Sequence, residues 1–468
     1  MMNRLFALDA HGTSLRTEVL AGVTTFLTMA YIIFVQPAIL SGVMLDSPTG
    51  MDFGAVTTAT CLAAALATAI MGLYARYPIA LAPGMGENFV FVLTAIPVAA
   101  AAGFAHPWQV ALGATFIAGI LFLLLSLLGV REKIIAAASP SMKNAIAVGI
   151  GLFIAFLGLR NGQLIVSDPG TFVRFNPTLV SPDVIVFVMG LIVAAALSAR
   201  RVKGALLWGI GTSLLVALVF KWTGPLLPPA IAESGAVQTS LLVSRFEPAT
   251  GLFAAPPSIE PTLLQMDLTQ AFSVVMLPVI VIFLFMDVFD TTGTLIGVGE
   301  QAGLLVDGRL PRSREAMVSD AAGTVLGAML GTSTVTSFIE SAAGVEQGGR
   351  TGLTAMTVAV LFVAALFFYP VIAMIGSYPP ITAAALVMVG AMMARNVTKI
   401  AWSDTTEAVP AFLTVIGIPL TNSVSDGLAM GLVSYPVIKA LAGKRNEVSL
   451  TMWILAVLLV GYFVIRYS

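Results

Sequence analysis

The chain has 468 residues, 58% of them hydrophobic and only 10% charged, with a formal net charge of −1. Soluble domains carry about 25% charged residues, so this composition, with a mean hydropathy of +0.97, describes a polytopic membrane protein. No large basic surface exists for nucleic acid, and a lone Cys61 with two histidines, His11 and His106, excludes an internal disulfide and a conventional His-rich metal site.

The N-terminal stretch has no cleavage pattern, so the first apolar segment is expected to remain as a span. Apolar stretches able to cross or half-cross a bilayer are predicted at 19–40, 55–74, 84–99, 110–129, 142–159, 184–198 and 204–220. A Pro- and Gly-rich connection follows. The second set runs 272–298, 316–330, 338–345, 353–375, 381–394, 408–419 and 425–441, and a further apolar segment, 450–465, either spans or lies at the interface. Cations fall at every second connection: Arg4 and Arg16, Arg76, Arg131 with Lys133 and Lys143, Arg200 to Lys203, Arg309 to Arg314, Arg350, Arg395 with Lys399, and Lys439 to Arg445. These connections, and the N-terminus, are expected to be cytoplasmic; those near Asp46 and Asp52 and across 222–267 face outside. Seven segments per half make the halves inverted, as in secondary transporters. The expected organisation is an all-α membrane protein of fourteen segments: a first repeat at 1–221, an extracytoplasmic connection at 222–269, a second repeat at 270–442 and an apolar tail at 443–468. The Gly323, Gly327 and Gly331 stripe is read as tight helix packing.

Two segments are interrupted. In YPIALAPGMGENFVFVL, Pro78 and Pro83 remove amide donors and Gly84 and Gly86 loosen the backbone, so helix starts only near 84–87. From there to position 99 a helix rises about 24 Å, too short for a full crossing. In LGTSTVTSFIESAAGV, the run 332–336 is predicted extended, with Ser337 capping a short helix from Phe338 and Glu340 in its first turn. The two half-helices enter from opposite sides, so their N-termini are expected to meet near the midplane and face a cavity.

Asp287 and Asp290 lie three apart in FLFMDVFDTTGTLIG, on one helical face, after a charge-free run from 272 to 286. Ionisable groups at that depth are functional by default. With Asn88 and Glu340 at comparable positions on the half-helices, they form one predicted binding site. Carboxylates accept bonds from N–H groups and an amide offers both donor and acceptor, so the ligand is expected to be small, flat and rich in donors. Phe89, Phe285, Phe289 and Phe338 either stack on it or face lipid and core. Asp290 has a rival role, bonding backbone near Thr291 and Thr292. Glu87, Thr291, Thr336 and Ser337 complete the surroundings.

Five stretches carry a resemblance: TEVLAGVTTFLTMAYIIFVQP from Thr17, ALAPGMGENF from Ala80, FMDVFDTTGTLIGV from Phe285, TSTVTSFIESAAGVEQGGRTGL from Thr332 and IPLTNSVSDGLAMG from Ile418. The chain resembles, over essentially its whole length, the AzgA-like purine permeases, a branch of the nucleobase cation symporter family that also includes uracil and xanthine permeases. The resemblance implies a core domain from segments 1–4 and 8–11, a gate domain from segments 5–7 and 12–14, and a homodimer in a bacterial-type inner membrane. It implies import of hypoxanthine, guanine or adenine with protons and no other cofactor. By matching positions, Asn88, Asp287 and Glu340 contact the purine, while Asp290, with Asp287 as the other candidate, couples the proton. No catalytic residue or metal ligand is implied. One departure is Glu87, where family members commonly carry an apolar residue; a supporting position beside the site is the preferred role.

The rival readings are a uracil or xanthine permease of the same fold, an inorganic-anion carrier, which three carboxylates disfavour, and a channel. An intramembrane hydrolase would need an HExxH or a GxGD-type aspartate pair, and neither occurs.

Overall fold

The structure, a computed structural model, describes residues 6–128, 139–226, 228–229, 233–305 and 310–467. Arg4, Arg131, Lys133 and Arg309 lie outside the described residues. Among the described residues nine helices are long and apolar enough to cross a membrane, and shorter apolar helices include Met85–Ala101 and Thr405–Thr421.

The first half begins with α1 (Leu15–Met29) and α2 (Ile32–Leu40), which together make one span. Ser14 starts it by accepting the Thr17 amide at 3.2 Å. Asp52 likewise caps α3 (Phe53–Ile70) through the Ala55 amide at 2.7 Å. A short strand, β1 (Leu81–Pro83), leads into α4 (Met85–Val90), a π-turn, and α5 (Ile96–Ala101). Then come α6 (Pro107–Leu128), α7 (Pro140–Asn161), a hairpin of β2 (Ile165–Asp168) and β3 (Phe172–Phe175), α8 (Pro182–Ala199) and α9 (Ala205–Thr223).

The second half holds α10 (Leu277–Gln301), α11 (Ser313–Leu330), β4 (Val335–Ser337), α12 (Ser341–Glu346), α13 (Gly352–Ala365) and α14 (Tyr369–Ser377). It ends with α15 (Pro379–Ala394), α16 (Thr405–Thr421), α17 (Val424–Leu441) and α18 (Leu450–Tyr467). Proline in the first turn opens α7, α8, α10 and α15, where its missing amide would be unpaired anyway.

Three features depart from the sequence reading. The hairpin β2–β3 was not anticipated. Its DPG turn is the signal: Asp168 accepts the amides of Thr171 and Gly170, and these bonds hold its carboxyl below the usual carboxylate range. The main helix α10 begins at Leu277 rather than 272, because Ser273 introduces a separate 3₁₀ turn before Pro278. The expected helix start at Phe338 is also corrected: β4 extends through Ser337, and helix begins only at Ser341.

The heaviest helix packing falls into two sets. In one, α11 lies against α3 and α6, and α13 against α1 and α3; in the other, α7 lies against α15 and α16, α8 against α9, and α16 against α17. Long-range polar contacts sort the connections onto faces. Arg312 donates to the Tyr74 carbonyl at 2.6 Å, Lys203 pairs with Glu346 at 2.7 Å, and Glu18 accepts the Arg350 amide at 2.9 Å. At the other ends of these helices, Arg245 pairs with Asp46 at 2.6 Å and Thr58 donates to the Pro257 carbonyl at 2.9 Å.

Candidate functional site

The two interrupted segments meet. Strands β1 and β4 pair antiparallel in the register Leu81 to Ser337, Ala82 to Thr336 and Pro83 to Val335. Backbone polar groups inside a membrane must be satisfied by protein, and the extensions do this: the Gly84 amide reaches the Thr334 carbonyl at 3.0 Å and the Phe338 amide the Ala80 carbonyl at 2.9 Å. Each strand is also clamped by a threonine from the preceding long helix. The Thr68 hydroxyl of α3 donates to the Leu81 carbonyl and accepts its amide, both at 2.9 Å. The Thr324 hydroxyl of α11 donates to the Val335 carbonyl at 2.9 Å and accepts its amide at 3.2 Å. Gly327 allows this approach, since a Cβ there would press on Val335 at 2.7 Å.

Asn88, wholly buried in α4, accepts from the Ser333 hydroxyl through Oδ1, and its Nδ2 has no hydrogen-bond partner. Gln36 of α2 braces the same stretch by donating to Thr332 at 2.8 Å and Ser333 at 3.1 Å. Glu340 is half-buried at the cap position of α12, and its Oε1 accepts from the Tyr31 hydroxyl at 2.9 Å. Ser337, expected to cap this helix, instead donates to Asp320 at 2.5 Å.

Asp287 is buried in α10, with Oδ2 accepting from Thr324 at 2.8 Å and Oδ1 without a partner. Four residues on, Thr291 donates to Asp320 of α11 at 2.5 Å and lies 3.1 Å from the Thr336 hydroxyl. Asp287 with Thr291, and Asp320 with Thr324, are both i, i+4 pairs, so two antiparallel helices exchange Asp–Thr bonds in both directions. Asp290 is exposed and has no hydrogen-bond partner among the described residues. The sequence reading missed Asp320, Thr324, Tyr31 and Gln36. The repeated Asp-x-x-x-Thr spacing in the eighth and ninth segments was the available signal for the first two.

Glu87 is also buried, and its carboxyl folds back over Gly84: a Cβ at Gly84 would collide with Oε2. This is the third-residue acid of a helix reaching back to its own start, and it faces Asp290 and Asp320 electrostatically. Among the phenylalanines, Phe89 is wholly buried with its ring edge-on to Phe153 at 5.6 Å, and Phe338 is buried. Phe285 and Phe289 are partly exposed and meet edge-on at 5.5 Å, and Lys143 sits 5.4 Å over the Phe289 ring. None of the ion pairs among the described residues involves Glu87, Asp287, Asp290, Asp320 or Glu340. Five carboxyl groups around two half-helix starts can accept hydrogen bonds, take up protons, or both.

The Permease family (Xan_ur_permease) matches residues 16–430. The guanine/hypoxanthine permease PbuG of Bacillus subtilis is 41% identical over 468 residues, covering 99% of both chains. The adenine permease AdeP of Escherichia coli is 40% identical over 461 residues, covering 98% of this chain and 95% of AdeP. Among solved structures, the transmembrane domain of the cyanobacterial bicarbonate transporter BicA superposes with a TM-score of 0.61 at 14% identity, covering 89% of this chain and 97% of that one. At that identity the likeness concerns the fold.

Proposed function

The chain belongs to the Permease family, and we propose that it imports purine nucleobases by proton symport. The observation that carries this reading is that the buried groups without a hydrogen-bond partner at the strand junction include a donor, Nδ2 of Asn88, and a carboxylate acceptor, Oδ1 of Asp287, alongside Gln36 Oε1 and Thr334 Oγ1. A purine presents N–H donors and ring or carbonyl acceptors along its edges, and it offers partners to both. Relatives named for guanine, hypoxanthine and adenine support the substrate class.

In this proposal Asn88, Asp287 and Glu340 hold the base, with Tyr31 fixing the Glu340 carboxyl. Phe289, partly exposed beside Asp290, is the ring best placed to stack; Phe89 and Phe338 shape the wall behind. Asp290, exposed and without a hydrogen-bond partner, takes the proton from water. Neutralising it lowers the cost of moving a loaded site past apolar surroundings.

The fold is proposed as two inverted repeats of seven segments, with a homodimeric assembly in an inner membrane and a cytoplasmic N-terminus. Segments 1–4 and 8–11 form a core, and segments 5–7 and 12–14 a gate, a division supported by the two packing sets and by Pro410, Pro419 and Pro436 inside the gate helices. Movement of core past gate gives alternating access. Uptake of labelled hypoxanthine into proteoliposomes, challenged with unlabelled adenine, guanine, xanthine and uracil, tests the substrate class. Competition by purines alone is expected; a dominant effect of uracil would replace the purine reading with a pyrimidine one.

A further inference from the structure

We infer that Lys143 of α7 is the gate-side contact of the base and selects 6-oxopurines, such as hypoxanthine and guanine, over adenine. The inference rests on the purine reading above and names the bases that the same site takes.

Asn88, Asp287 and Glu340 come from α4, α10 and the start of α12, all on the core side, which leaves the opposite wall to α7. Three contacts give its orientation. The Phe153 ring meets Phe89 of α4 edge-on at 5.6 Å, a Cβ added at Gly86 of α4 would lie 3.3 Å from Ile150, and the Lys143 ammonium sits 5.4 Å over the Phe289 ring of α10. Lys143, Ile150 and Phe153 are spaced i, i+7 and i+10, so they share one helical face. Ile146 completes that face, partly buried against the same core. The flanks of α7 press into other gate helices: a Cβ at Gly151 would meet the Gly390 carbonyl of α15 at 2.9 Å, and one at Gly149 the Thr414 carbonyl of α16 at 3.0 Å. This fixes which face is turned to the core. Of its four residues only Lys143 carries a hydrogen-bonding side chain.

An ammonium has three donors and no acceptor, whereas the charged carboxylates of Asp287 and Glu340 only accept. A 6-oxopurine presents the N1–H donor beside the O6 acceptor, so a carboxylate and an ammonium together complement this edge. Adenine reverses both atoms. Its N1 would set a lone pair against the carboxylate and its 6-amino group would set N–H against N–H at Lys143. Groups left unpaired in this way are what a polar site uses to reject a near-isostere. Asn88 does not discriminate, because its amide can turn to offer either atom. The ammonium rests on the ring proposed for stacking, and a base stacked there moves it from the ring to the base edge. The flexible four-carbon stem allows this, and a hydrogen bond replaces the cation–π contact.

Equilibrium binding of labelled hypoxanthine and adenine to purified protein tests the assignment. Wild type should bind hypoxanthine at least about tenfold more tightly than adenine. In Lys143→Met the two Kd values should come within about threefold of each other through weaker hypoxanthine binding, while Lys143→Arg, which keeps the donors, should retain a wild-type preference. A packing role alone would shift both bases alike. An unchanged ratio in Lys143→Met would therefore overturn the inference, as would a wild type that favours adenine. Should the melting temperature show that Lys143→Met folds poorly, Lys143→Gln serves: its amide offers an acceptor as well as donors, so the ratio should narrow, and an unchanged ratio would again contradict the role. If wild type binds uracil and no purine, the purine reading fails by itself. Uracil also pairs a ring N–H with a carbonyl, so its binding should then weaken about tenfold in Lys143→Met, and an unaltered uracil Kd would overturn the assignment of Lys143.

Discussion

Thr324 of α11 donates to Asp287 of α10 at 2.8 Å from a hydroxyl that also lies 2.9 Å from the carbonyl of Val335. One hydroxyl has one proton, so these acceptors compete. The same side chain therefore fixes both a site carboxylate and the strand leading to Glu340. Thr324→Val keeps the shape but strips a buried carboxylate and a strand amide of their partner. Each unsatisfied group costs about 1–3 kcal/mol, so the variant should melt several degrees lower in detergent, while Thr324→Ser stays near wild type. Equal melting of all three would show that the clamp carries no load.

Tyr31 holds Glu340 through one hydrogen bond to Oε1. A bond to a charged acceptor contributes about 1.5–3 kcal/mol, part of it retained through water in a half-buried site. Tyr31→Phe should therefore raise KM for hypoxanthine about tenfold with a smaller change in maximal rate, as measured by initial uptake rates. An unchanged KM would mean that the Glu340 carboxyl needs no fixing before the base arrives.

How much was legible in the sequence follows from which signals are local. Hydropathy marked the spans, and the Pro78, Pro83 and Gly84 punctuation marked the first extended stretch. A charge in an apolar run made Asp287 and Asp290 conspicuous. Asp320 was missed although it lies within the predicted 316–330 segment, because SREAMVSD opens the helix with polar residues and an acid there stands out less than Asp287 at the end of its charge-free run. Its burial comes from packing against α3 and α6, which no local pattern states. Ser337 was misread as a cap because hydroxyl residues suit both caps and strands; pairing with Leu81, 256 positions away, decides for the strand.

Gly84 sits beneath the Glu87 carboxyl, and an added Cβ would also meet Thr336 at 2.9 Å. Gly84→Ala should lower both stability and uptake. Adding Glu87→Ala should recover part of the loss, because it removes one of the two colliding groups. Additive losses in the double variant, read from melting temperature and uptake rate, would show that Glu87 does not cover this junction.

Outside the membrane segments, Lys444 donates to Asp404 at 2.8 Å and holds that carboxyl below the usual carboxylate range; Asp404 in turn caps α16 through the Thr406 amide at 2.9 Å. A depressed folded value means the stabilisation is present above the unfolded value and is lost only as pH falls through the folded one. The melting difference between wild type and Asp404→Asn should therefore persist to about pH 4 and close only in stronger acid. Closure already near neutral pH would contradict the geometry.

The most direct test of the account is uptake of labelled hypoxanthine by proteoliposomes of wild-type and Glu340→Gln protein, with and without an inward proton gradient. Wild type should accumulate the base only with the gradient, and Glu340→Gln should lose at least about 90% of that uptake, equivalent to about 1.4 kcal/mol or more. Wild-type rates in the Glu340→Gln protein, or accumulation indifferent to the gradient, would contradict the account.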